Sequence, residues 1–148
     1  MDWGHLLDNT HDNCSPECDV IIHRQGFFAQ WNGKDRQPIM DFKFIDSSES
    51  LATVSCKSTI RSIDQKHVQY LQKMGNFQKN IFLFSECCEH KRIKILRKNA
   101  LEAGYKGFWC LYTIDRSKSI IERDEPGWQD FFETVYRAVT EQRNIFNG

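Results

Sequence analysis

The chain is poor in residues that break structure or repeat it. Three prolines and eight glycines in 148 residues leave little room for a collagen-like repeat, a long flexible linker or a low-complexity tail. Neither sign of charge is in excess. Twenty Lys and Arg balance twenty Asp and Glu, giving a formal net charge of zero and a pI of about 6.9. A protein that coats duplex nucleic acid with its whole surface carries a strong basic surplus, so nucleic-acid contact here has to be local or helped by a partner. No apolar run approaches the roughly 18 residues that a membrane-spanning helix needs, and no membrane partner is expected. The start, Met1-Asp2-Trp3-Gly4-His5, lacks the basic-then-apolar order of a secretory leader. The expected location is the cytoplasm.

Apolar residues make up 40% of the chain and aromatics 13%, with eleven Phe and four Trp. That is enough to fill a real core, and it excludes a disordered chain. We expect one domain over 1–148, with 1–17 a polar, irregular N-terminal segment. Among the six cysteines, Cys18, Cys56 and Cys110 fall inside apolar strand-like stretches, which points to buried, reduced thiols rather than disulfides.

The periodicity sets an order of elements. Strands are expected at 18–24, 27–31 and 39–45, with Asn32-Gly33 as a turn. The 39–45 stretch alternates at period two, as a half-buried strand does. A further strand spans 51–57. Ser62 reads as a helix start, with Val68 and Leu71 inward and a stop at Gly75-Asn76. Ile81-Phe82-Leu83-Phe84 is uniformly apolar, as a strand covered on both faces is. A helix follows at 88–103, ending at Gly104, then a strand at 107–114. A last helix starts at 124 and carries Phe131, Phe132, Val135 and Tyr136 along one side. This order predicts an α/β three-layer sandwich, with a mixed central sheet flanked by helices.

Chemistry concentrates where two of these strands end. Asp19 heads the first, and Ser55-Cys56-Lys57 closes the 51–57 strand. Side chains alternate along a strand, so Ser55 and Lys57 share a face while Cys56 points to the other, leaving its carbonyl as a candidate ligand. An acid on one strand and x-x-Lys on the next suits phosphodiester hydrolysis. The acid holds a divalent ion against a phosphate oxygen, and the lysine orients water or offsets charge.

The stretch Ser15-Pro16-Glu17-Cys18-Asp19-Val20-Ile21-Ile22, followed by Ile45-Asp46-Ser47-Ser48-Glu49-Ser50-Leu51-Ala52-Thr53-Val54-Ser55-Cys56-Lys57-Ser58-Thr59-Ile60, resembles an uncharacterised bacterial branch of the PD-(D/E)XK, restriction-endonuclease-like nuclease superfamily. The resemblance implies a restriction-endonuclease-like fold and a Mg²⁺- or Mn²⁺-dependent nuclease acting on DNA or RNA in defence or nucleic-acid processing. It implies Asp19 as metal-binding acid, Lys57 as catalytic lysine and Glu49 as the acid opening the motif strand. Two departures stand out. Ser55 occupies the place of the motif glutamate, and no helix carrying an acid is evident before Asp19. Asp64 on the following helix, Glu49, or a partner chain are the candidates for the missing carboxylate. The alternative is a catalytically inactive module on the same fold that binds nucleic acid or a protein, alone or as a homodimer.

Other features have plainer readings. Asp64 suits a helix-start acid facing the macrodipole, and Glu49 a solvated turn residue. Gln69-Tyr70 resembles a helper pair of exonuclease members, or an exposed pair. Cys14, Cys18, Cys87, Cys88 and His90 allow a zinc site on paper, without the usual knuckle spacing. The basic run His90-Lys91-Arg92, Lys94, Arg97-Lys98, with Phe108, Trp109 and Tyr112, is a phosphate-tracking face or the solvated side of an amphipathic helix. Trp128, Phe131 and Phe132 are core or an oligomer surface.

Overall fold

The structure is a computed structural model that describes residues 1–7, 10, 14–15, 18–24, 29–31, 42–72 and 80–147. Its strands are β1 (Asp2–Leu7), β2 (Cys18–His23), β3 (Ala29–Trp31), β4 (Phe42–Asp46), β5 (Ser50–Thr59), β6 (Ile81–Glu89), β7 (Phe108–Asp115) and β8 (Ile120–Arg123). The helices are α1 (Gln65–Gln72), α2 (Ile93–Ala103) and α3 (Glu125–Asn147).

All the strands join one eight-stranded sheet, in the order β3-β4-β1-β2-β5-β6-β7-β8. β5, β6 and β7 run parallel, as does β1 beside β4. The remaining pairs are antiparallel, so the sheet is mixed. Alternation along β6 splits its apolar run between two cores. Ile81 and Leu83 pack with Val68 and Leu71 of α1 and Leu96 and Ala100 of α2. Phe82 faces the other way, with Ala52, Val54, Trp109 and Phe131 of α3. Helices therefore cover both faces, the three-layer arrangement expected. Burying a side chain such as Phe82, which is fully buried, contributes about 2–3 kcal/mol. Gly104 ends α2 in the left-handed region at φ 103°, and its N–H reaches the Ala100 and Leu101 carbonyls, as a helix-stopping glycine does.

Several expectations need correction. Residues 2–7 are not irregular. They form β1, because backbone partners on β2 and β4 supply hydrogen bonds that no local alternation announces. β6 runs on to Glu89, so Cys88 and Glu89 belong to a strand, and a short 3-10 turn at His90–Arg92 precedes α2. β8 is an additional edge strand. Cys18 and Cys110 are buried as expected, but Cys56 is exposed, because burial along β5 stops after Ser55. The expected Asn32-Gly33 turn and Gly75-Asn76 helix stop, and parts of the 27–31 and 39–45 strands, lie outside the described residues.

Candidate active site

The site forms where β2 and β5 part. Their ladder pairs Val20 with Val54 and Ile21 with Thr53, and the same register carries Asp19 opposite Ser55. Among the described residues, β5 then continues with β6 alone as its partner, through Lys57 beside Ser85 and Thr59 beside Cys87. At this fork the Asp19 carboxylate takes the place of a strand. Its Oδ2 accepts the Cys56 backbone N–H at 2.7 Å and lies 3.5 Å from the Ser55 hydroxyl. The structure thus brings Asp19, Ser55, Cys56 and Lys57 to one spot. Ser55 is buried, while Asp19 and Lys57 are exposed.

Ser55 and Lys57 line an open cleft of about 860 Å³ between the β5 end and α1. The cleft's lining has a charge that the whole chain does not. Lys57, Arg61, Lys66 and Arg116 face one carboxylate, Asp64. The Asp64 carboxylate already accepts the Lys66 N–H at 2.9 Å, capping α1 from its N-terminal side. Arg116 also contacts Glu89, which is not in the lining, at 3.4 Å.

Glu49 is not part of this assembly. It sits just before β5, six residues from Ser55, or about 20 Å of strand, and its carboxylate pairs with Arg24 at 2.7 Å. That ion pair gives it a structural partner at the far end of the strand.

His67 and Arg61 line the cleft and went unnoticed in the sequence. The available signal for His67 was its place on the helix, three residues after Asp64 and beside the inward Val68. Burial pushes the His67 imidazole below its ordinary pKa, and the Lys57 charge pushes the same way. Asp19 and Asp64 oppose both. Cys56, though exposed, has its thiol raised, first by partial desolvation and then by Asp19, with Lys57 opposing. At neutral pH it is a thiol, not a thiolate nucleophile. Tyr105, in the cleft wall, is pushed up to about 12, first by burial and then by Asp64.

A Mg²⁺ ion needs no cage made wholly of protein. It keeps several waters and takes one or two carboxylates plus substrate phosphate. Asp19, with the Ser55 hydroxyl beside it, fits as the protein's share of such hard oxygen ligands. Among the described residues, no group of three or more His, Cys, Asp or Glu side chains is disposed to hold a metal by itself. The zinc reading therefore has no cluster behind it. Cys88 and Cys110 instead form a buried thiol pair 3.4 Å apart.

The basic run over the 3-10 turn and α2 makes pairs within the protein. Arg97 reaches Asp124 at 3.4 Å, Lys98 reaches Glu102 at 3.6 Å, and Arg92 donates to the Arg61 carbonyl at 2.9 Å. Of the aromatic cluster on α3, Phe131 is buried and Phe132 is exposed.

A scan against protein-family models finds no match for the chain, and a search of curated proteins finds none either. Solved structures do match. Apo NucC of E. coli MS115-1 superposes with TM-score 0.51 at 11% identity, over 95% of this chain and 73% of that one. NucC of P. aeruginosa ATCC27853 in a cAAA-bound form matches with TM-score 0.48 at 14% identity, over 92% and 68%. The first of these similarities shows that the fold is the restriction-endonuclease-like one.

Proposed function

We propose that this chain binds a nucleic-acid phosphodiester in the cleft at the β2–β5 fork and hydrolyses it, in nucleic-acid defence or processing. The observation that carries the reading is the concentration of four cations, Lys57 among them, in one cleft of a neutral protein whose lining includes Ser55, the neighbour of Asp19. In this reading Lys66, Arg61 and Arg116 hold the backbone phosphates on either side of the scissile one. Lys57, nearest the fork, places its ammonium against the phosphoryl oxygens and stabilises the charge that builds there as water attacks. The Ser55 hydroxyl, buried beside Asp19, keeps that carboxylate aimed at the fork. A divalent ion bound by Asp19 and the substrate would supply Lewis-acid polarisation of the phosphate.

The test incubates the protein with plasmid and single strands, DNA and RNA, plus Mg²⁺ or Mn²⁺. Lys57→Ala should lower cleavage by about 10²–10³-fold, the scale for removing one oxyanion-stabilising group. Cleavage that is equal in wild type and variant would come from a contaminant.

A second reading has its own observation. The place next to Asp19 holds a hydroxyl, Ser55, where a second carboxylate would complete the ion's ligands. A module that binds phosphates without cutting them would need only the cationic lining. Binding that depends on Lys66 and Arg61, with no cleavage under any metal, is the outcome that selects it.

A further inference from the structure

We propose that His67 accepts the proton of the water that attacks the phosphodiester in this cleft; this rests on the nuclease reading above. Proton transfer from the attacking water needs a group with an available lone pair, and the two carboxylates nearest the fork already accept hydrogen bonds from the backbone. Asp19 accepts the Cys56 N–H and lies against the Ser55 hydroxyl. Asp64 caps α1 through the Lys66 N–H. Lys57 is a cation and has no free lone pair at neutral pH.

The geometry of α1 directs His67 to the reaction side. Val68 and Leu71 are fully buried against the sheet, which fixes the helix's rotation about its axis. Asp64, His67 and Tyr70 then follow at a spacing of three, along one side of the helix, and all three line the cleft with Ser55 and Lys57. The Tyr70 hydroxyl donates to the Cys14 carbonyl at 2.9 Å, tying that side of α1 to the segment that leads into β2. A half-buried imidazole on a helix held at its start and along its side stays where it is needed.

Charges act on this imidazole from Lys57 of β5, Asp19 of β2 and Asp64 at the start of α1. Lys66 of α1, Arg61 from the turn before it and Arg116 from the turn after β7 line the same cleft. Tyr105, after α2, is neutral, because its pKa lies at about 12. Burial and Lys57 hold the ring neutral against the pull of Asp19 and Asp64. At neutral pH it is a base, ready to accept.

The step balances without any further reagent. A water O–H bond breaks and its proton passes to the free ring nitrogen of His67. The water oxygen forms a bond to phosphorus, and the ester P–O bond breaks. The leaving oxygen takes a proton from solvent, and the imidazolium returns its own to solvent. Water and phosphodiester become a phosphomonoester and an alcohol.

Two readouts on the full chain test this. The first does not depend on turnover. The His67 ring signals, assigned by their loss in His67→Gln, are followed by NMR across pH with and without a thymidine dinucleotide. The free ring should titrate below the ordinary histidine value, and the phosphodiester anion should raise its midpoint, because a nearby negative charge favours the imidazolium. A midpoint that the dinucleotide leaves unmoved overturns the proposal. The second is the pH dependence of cleavage over roughly pH 5–8, the range in which histidine changes charge. His67→Gln should lower kcat by about 10²-fold, the lower end for a lost general base. KM should change little and the acid limb should flatten, while Lys57→Ala keeps that limb. An acid limb that survives in His67→Gln overturns the role of His67 and leaves the nuclease reading standing. No cleavage by wild type on any substrate overturns both. Far-UV circular dichroism of each variant against wild type excludes unfolding as the cause.

Discussion

Ser55 occupies the most consequential position in the site, because its 3% exposure makes any charge placed there expensive unless it is matched. Ser55→Glu should therefore behave in opposite ways with and without metal. Alone, the variant should lose about 1–3 kcal/mol, the cost of an imperfectly paired buried polar group. With Mn²⁺ the two carboxylates at the fork should bind the ion, recover stability and raise cleavage above wild type. Melting curves with and without Mn²⁺, alongside cleavage assays, check this; equal melting temperatures in both conditions would mean that the fork does not bind metal. Tyr105 offers a cleaner titration. Its folded pKa of about 12 exceeds the ordinary phenol value of about 10, so the folded state holds the proton more tightly. The stability from that difference is complete below pH ~10 and disappears as pH rises through about 12, amounting to roughly 3 kcal/mol at 1.36 kcal/mol per unit. Urea unfolding below and above this window should show a smaller loss in Tyr105→Phe than in wild type. Asp19, Ser55 and Lys57 were legible because period two and strand order place them without any knowledge of packing. His67 was not, since its meaning depends on how α1 rests on the sheet.

The elements show the same division. β5, β6 and β7 carry runs of apolar residues covered on both faces, and α2 ends at a glycine, so local chemistry announced them. β1 is held by strands distant in sequence, and β8 is four exposed residues, all lying at the sheet edge. Nothing local marks either, because their stability comes from the backbone ladders of their neighbours. The C-terminal end of α2 supports a prediction at this scale. Gly104 lies at φ 103°, and a Cβ there would press on the Gln72 side chain and the Val68 methyl. Gly104→Ala should cost about 1–2 kcal/mol from the left-handed backbone alone, seen as a lower urea midpoint at unchanged slope. Gly107→Ala should cost more, since its Cβ would run into the rigid Trp109 ring, which is itself fixed by a 2.7 Å hydrogen bond from Nε1 to Asp130. An unchanged midpoint in Gly107→Ala would mean that the ring swings aside freely.

Over the whole molecule the charges cancel, yet their placement does not, and salt dependence is the property that exposes this. Twenty cations and twenty acids give no global attraction for nucleic acid, so under the proposed function affinity comes from the four cations lining the cleft, one of which, Arg116, is partly neutralised by Glu89. Each phosphate neutralised contributes about −0.9 to the slope of log K against log salt on duplex DNA. Three or four contacts predict a slope of about −3 to −4, shallow beside a dedicated duplex binder. Lys66→Ala and Arg61→Ala should each flatten the slope by about one unit, whatever the sequence of the DNA. Lys98→Ala on α2 should leave it alone, because that ammonium faces Glu102 on the same helix and lies outside the cleft. Binding isotherms over a salt series separate the cases. A slope that responds to Lys98→Ala and ignores Lys66→Ala would move the contact surface from the cleft to α2, and the fork between β2 and β5 would lose its substrate.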